Sequence, residues 1–169
     1  MAEAGTITYK GSAVTETGDG GGIPASGPLN PGINVTMIGN STPTVISGVS
    51  FTKILGTTDV AYLSSIAGFS TPADNRILYS GEAACYLVIC TANIKSATSA
   101  ADVTLAIGIN GIIDAQTHSV LSVNNTETRQ ATSMTIQSIS DGDYFEAFIQ
   151  SATAQNYIVT DMSITFTRV

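Results

Sequence analysis

Tryptophan is absent, histidine occurs once, cysteine twice, and charged residues make up only 11% of the 169. Each shortage excludes something. Globular chains carry roughly 25% charged residues, so this surface has to be polar through serine and threonine instead. Such a surface suits extensive contact with other proteins better than life as a free enzyme. Six Lys and Arg face 13 Asp and Glu, for a net charge of −7. The bases Lys10, Lys53, Arg76, Lys95, Arg129 and Arg168 are scattered along the chain. Nucleic-acid binding needs clustered Lys and Arg to neutralise phosphates, so no nucleic acid is expected as a partner.

Long hydrophobic runs are missing too. Nothing approaches the ~18 apolar residues of a membrane span, and no membrane partner is expected. The opening MAEAGTITYKGSAV lacks the basic and apolar regions of a secretory signal, so folding in a cytoplasm is the expectation. The sequons at Asn34, Asn40 and Asn124 carry little weight in that compartment. Cys85 and Cys90 lie in AACYLVICTA, which reads as a strand. Their side chains then sit about 16 Å apart on opposite faces, too far to bridge, and both are expected as buried free thiols.

Catalytic patterns are equally scarce. G-x-S-x-G, H-E-x-x-H and the P-loop signature do not occur. His118, in DAQTHSVL, has only Asp114 nearby and reads as a loop or edge residue. GDGGGIP has the glycines of a phosphate cradle without the preceding strand or the following lysine, and reads as a linker. SISDGDYFEAFIQS raises the one real question, because Asp141, Asp143 and Glu146 could form a carboxylate site. Period-two geometry points Glu146 away from Asp143, while Asp141-Gly142 supplies a turn. A turn feeding a strand is the reading, with a cation site as the alternative. No catalytic, cofactor-binding or metal-ligating residue is assigned, no cofactor is expected, and the chain is expected not to be an enzyme.

What the sequence does have is glycine and proline at one end. Ten of 16 glycines and four of five prolines fall within residues 1–50. Residues 1–45 are therefore read as an extended, irregular arm, with Ile7, Tyr9, Ile23, Pro24, Pro28 and Pro31 as candidate partner contacts. Two readings are open for it, a disordered tail or an arm that orders against a partner. Residues 46–169 form the second unit. There, Val103, Leu105, Ile107 and Ile109 alternate with Thr104, Ala106 and Gly108, and Asn110-Gly111 signals a hairpin. Ile158, Met162, Ile164 and Phe166 are read as one face of the last strand. VISGVSFTKIL, RILYSGE, TSMTIQSI and DYFEAFIQ complete a set of short strands. This predicts an all-β, antiparallel β-sandwich.

The strand around Cys85 is apolar on both faces: Cys85, Leu87 and Ile89 on one, Tyr86, Val88 and Cys90 on the other. Something must cover the second face, a further layer of the chain or a neighbouring subunit. Tyr86, Val88, Cys90, Tyr144 and Phe148 are the candidate oligomer interface.

The order of GEAACYLVICTANI, VTLAIGINGIID, SISDGDYFEAFIQSAT and a closing MSITFTRV resembles the jelly roll of the tumour necrosis factor and complement globular-head superfamily. Ile139 to Tyr144 is similar to that family's L-x-x-G-D-x turn, whereas Gly81 and Tyr86 stand five apart rather than in its Gly-x-Tyr spacing. The resemblance covers residues 46–169 and implies a jelly-roll sandwich that packs as a homotrimer. Fold alone does not set function. Low charge, abundant Ser, Thr and Gly, and an extended arm look most like a bacteriophage head-decoration, or cement, protein. Such a protein stabilises a virion by binding the major capsid protein, after assembly in the host cytoplasm. The alternative is the receptor- or carbohydrate-binding head of a tail or head fibre.

Overall fold

The computed structural model describes residues 32–56, 59–63, 68–71 and 75–169. Among these residues, two antiparallel sheets are built from thirteen strands: β1 Gly32–Met37, β2 Pro43–Ile46, β3 Thr52–Lys53, β4 Asp59–Leu63, β5 Phe69–Ser70, β6 Ile77–Tyr79, β7 Ala84–Ser96, β8 Ala101–Ile109, β9 Ile112–Ile113, β10 Ser119–Val123, β11 Arg129–Ile139, β12 Tyr144–Gln150 and β13 Gln155–Arg168. The long-strand sheet runs β11-β7-β13-β1-β4, with β2 also on β13. The short-strand sheet runs β10-β8-β12-β6-β5, with β3 on β12 and β9 on β8. Among the described residues no helix is long and apolar enough to cross a membrane.

The period-two pattern decides which side of each strand faces the other sheet. Tyr86, Val88, Cys90, Ala92 and Ile94 of β7 are all buried, as are Val103, Leu105 and Ile107 of β8 and Phe145, Ala147 and Ile149 of β12. They meet in one core. Its aromatic centre is Phe166, with ring centroids 4.6 Å from Phe69 and 4.9 Å from Phe145. The Asn110-Gly111 hairpin forms as its sequence predicts, with φ of 53° and 77°, and pairs Ile109 with Ile112.

Three expectations about the framework need correction. The arm does not extend to residue 45: β1 pairs with β13 from Gly32 to Met37, and β2 pairs with β13 from Pro43 to Ile46. Ile33, Val35 and Met37 alternate with Asn34 and Thr36 and enter the core, a pattern hidden by the glycines and prolines around it. The remaining arm residues Ile7, Tyr9, Ile23, Pro24, Pro28 and Pro31 lie outside the described residues. VISGVSFTKIL is split by a bend at 48–50 into β2 and β3. Finally, β13 does not keep one parity. Its register shifts between Val159 and Asp161, so Tyr157 and Val159 share the core face with Met162, Ile164 and Phe166, while Ile158 turns outward.

Candidate functional site

The acidic turn resolves into local structure. Asp143 Oδ2 accepts the Ser140 N–H at 2.8 Å, and Oδ1 accepts the Asn110 side-chain amide at 2.7 Å. Asn110 Oδ1 in turn accepts the Tyr144 N–H at 3.0 Å, which ties the turn to the neighbouring hairpin. Gly142 has φ of 85°, where a side chain is disfavoured. Glu146 points the other way and pairs with Lys53 at 3.1 Å and Arg76 at 3.5 Å. Asp143 and Glu146 therefore serve separate partners and do not form a shared carboxylate site. Asp114 and His118 are likewise engaged apart: Asp114 caps a 3-10 turn by accepting Gln116 N–H at 3.0 Å, and His118 lies 4.9 Å from the Phe51 ring.

The five candidate interface residues do not share a surface. Tyr86, Val88 and Cys90 are at most 1% exposed and belong to the monomer's own core. Tyr144 and Phe148 are half-buried on the outside of the opposite sheet. The two-faced character of β7 is real, but the assignment of faces is reversed: the short-strand sheet covers the Tyr86 side. The other side of β7 carries Cys85, Leu87 and Ile89, and Cys85 is exposed rather than buried.

That other side carries the candidate surface. Cross-strand register places Ile136, Leu87, Thr167 and Gly32 in one row, and Met134, Ile89, Thr165 and Asn34 in the next. Residues opposite one another in an antiparallel pair share a face. Met134 is 60% and Ile136 63% exposed, with half-buried Leu87 and Ile89 beside them. The result is a contiguous aliphatic patch at the β11–β7 edge, bordered by the hydroxyls of β13 and β1. Beyond it, the β13 bulge forms a polar corner, where Asp161 accepts the Gly39 N–H at 3.2 Å and the Thr160 hydroxyl at 2.8 Å. Those bonds, the hydroxyl first, hold its carboxyl below the usual carboxylate range. Sequence reasoning missed Met134 and Ile136 because each stands alone among polar neighbours in TSMTIQSI; pairing with β7 makes them a patch.

The two thiols follow the two faces. Burial pushes the Cys90 thiol up to about 12, so it stays protonated and unreactive at neutral pH. A thiol reagent at pH 8 is expected to leave Cys90 untouched until the chain is denatured, whereas Cys85 is open to it in the single chain. Because folding raises the Cys90 value, its contribution to stability is complete below the ordinary thiol range. That contribution declines as pH rises towards 12. Native reaction of two thiols per chain, counted by released chromophore, is the outcome that contradicts this placement.

No family model matches the chain, and no curated protein matches it. Solved structures do. Murine APRIL at pH 8.0 superposes with a TM-score of 0.56 at 11% identity, covering 83% of this chain and 99% of that one. Murine APRIL at pH 5.0 gives 0.55 at 10% identity, with 82% and 99% covered. The Eiger TNF of S. frugiperda gives 0.50 at 13% identity, with 82% and 93% covered. The fold is thus a jelly roll of the tumour necrosis factor type, as the order of motifs suggests. At these identities the likeness extends to the fold alone.

Proposed function

We propose that this chain is a non-enzymatic structural protein of a bacteriophage particle. It assembles as a homotrimer through the open face of the long-strand sheet, and the trimer decorates and stabilises the head by binding the major capsid protein. The observation that carries the reading is the aliphatic patch of Leu87, Ile89, Met134 and Ile136. Isolated exposed apolar residues are ordinary on monomers, but a contiguous patch rimmed by polar groups marks a protein contact. The low charge of the surface supports the same role, because little charge has to be stripped of water on assembly. The place of action is the virion, after assembly in the host cytoplasm.

The arm supplies the second half of this reading. An extended segment that orders against a neighbour couples a large contact area to a rigid body. Deleting residues 1–31 is expected to leave the mass of the assembly at three times its truncated chain, while heads mixed with it lose their added resistance to heat. Light scattering after size exclusion and thermal release of packaged DNA measure the two effects. Full stabilisation by the truncated protein moves the capsid contact onto the sandwich, and a monomeric mass removes the trimer.

A second reading, the carbohydrate-binding head of a tail or head fibre, is favoured by the aromatic and charged strip on the outside of β12.

A further inference from the structure

β12 turns Tyr144, Glu146, Phe148 and Gln150 outward at every second residue, on the side of the sandwich away from the aliphatic patch. We propose that this strip is a binding site for a saccharide that bears a carboxylate; the inference deepens the fibre-head reading, on which it rests, and leaves the trimer untouched.

The charge arrangement comes first. Glu146 has a side chain only 6% exposed, and its Oε1 accepts from Lys53 Nζ at 3.1 Å and from Arg76 Nε at 3.5 Å. Two cations against one anion leave a surplus of one positive charge within this cluster, on a chain whose net charge is −7. Lysine offers three donors and arginine five, and a single carboxylate oxygen uses few of them. The Lys53 and Arg76 side chains are 27% and 42% exposed, so unused donors face solvent. Glu146 already orders both cations, and a ligand carboxylate binds them with less loss of side-chain entropy than it would on free surface residues.

Aromatic faces flank the cluster. The Arg76 guanidinium lies 4.0 Å from the centre of the Tyr144 ring, which fixes its plane. Phe148 rests on Gly108, where an added Cβ would come within 2.5 Å of the ring. That glycine lets the ring approach β8 closely, and Phe148 stays half-buried at the surface. Tyr144 and Phe148 are about 13 Å apart along the strand.

The strip then changes character. At Gln150 it runs into a groove of about 370 Å³ lined by Val49, Asp102, Thr104, Gln150, Ser151 and Thr153. The Gln150 amide already donates to Val49 O, and buried Ser151 donates to Asp102 O, so the Thr104 and Thr153 hydroxyls are the groups there that match sugar hydroxyls in hydrogen-bonding chemistry. Asp102 sets a negative charge at that end, so a polyanion such as nucleic acid is repelled where a neutral sugar ring is accepted. The site therefore has a polarity, with the acid at Arg76 and neutral units towards Thr104 and Thr153.

The test titrates the full-length protein with a glucuronic-acid disaccharide, the matching neutral glucose disaccharide, and acetate, followed by calorimetry and amide NMR shifts. The acidic disaccharide is expected to bind at least about tenfold more tightly than either control, as loss of one charge-assisted contact predicts. Arg76→Ala is expected to erase that preference with the assembly mass unchanged, and Lys53→Gln serves the same purpose if Arg76→Ala does not fold. Equal binding of the neutral disaccharide keeps the fibre-head reading and overturns the charged subsite. Equal binding of acetate overturns the saccharide assignment. No response to any of the three overturns both the site and the fibre-head reading, while the trimer stands or falls on its own mass.

Discussion

Ile136→Asp is expected to turn the assembled protein into a folded monomer of 17.4 kDa. Ile136 is 63% exposed in the single chain, so the substitution disturbs no core contact there. Its effect arises only where a second copy covers the patch. An unpaired carboxylate taken out of water at a protein contact costs about 3 kcal/mol or more. Each 1.4 kcal/mol is a factor of ten, which weakens every contact of the ring more than about a hundredfold. In a cyclic assembly all subunits carry the change, so the loss repeats at each interface. Light scattering after size exclusion reads the mass, and circular dichroism checks that the fold is retained. A well-folded variant that keeps the mass of the unmodified protein removes this face from the assembly.

Much of this architecture is legible in the residues. Strict alternation in DVTLAIGIN predicts β8 and its buried face, and Asn110-Gly111 predicts the hairpin that follows. The SDGDY turn is legible as well, because Gly142 supplies the positive φ and Asp143, just after it, the local hydrogen-bond acceptor.

Other features are set by partners far away in the chain, and sequence periodicity cannot see them. The β7 strand is apolar on both sides, so nothing in ACYLVICTA says which side the second sheet covers; bulk decides it, with Tyr86 filling the interior. The bulge at Thr160 reverses the parity of β13 because Asn40 bonds the backbone there. The Asn40 N–H reaches Thr160 O at 2.8 Å, and its side-chain amide reaches Val159 O at 2.9 Å. Lys53, Arg76 and Glu146 form one cluster although Glu146 is 93 and 70 residues from its two partners. Met134 and Ile136 become a patch only through register with Ile89 and Leu87. The site residues found by the structure are thus those whose meaning depends on strand pairing.

Val88→Asp makes the opposite test on the neighbouring position of the same strand pair. Val88 lies opposite Thr135, one residue from Ile136, but its side chain points into the sandwich and is 0% exposed. Reading the residues alone places Val88 at the subunit interface, where an aspartate would abolish soluble assembly by acting on the contact between chains. The structure places it among the core side chains that include Tyr86, Cys90 and Phe166, with no water to solvate a charge. Burying a carboxylate there costs several kcal/mol whether it ionises or takes up a proton, and the lost methyl packing adds to it. A domain of this size is stable by only about 5–15 kcal/mol. The variant is therefore expected to be insoluble or to lack a cooperative thermal transition. Expressed beside Ile136→Asp, it separates the two faces of one strand pair: the inner face decides whether the chain folds, and the outer face whether folded chains associate. A Val88→Asp protein that melts within a few degrees of the unmodified one places this position outside the core and reverses the facing of β7.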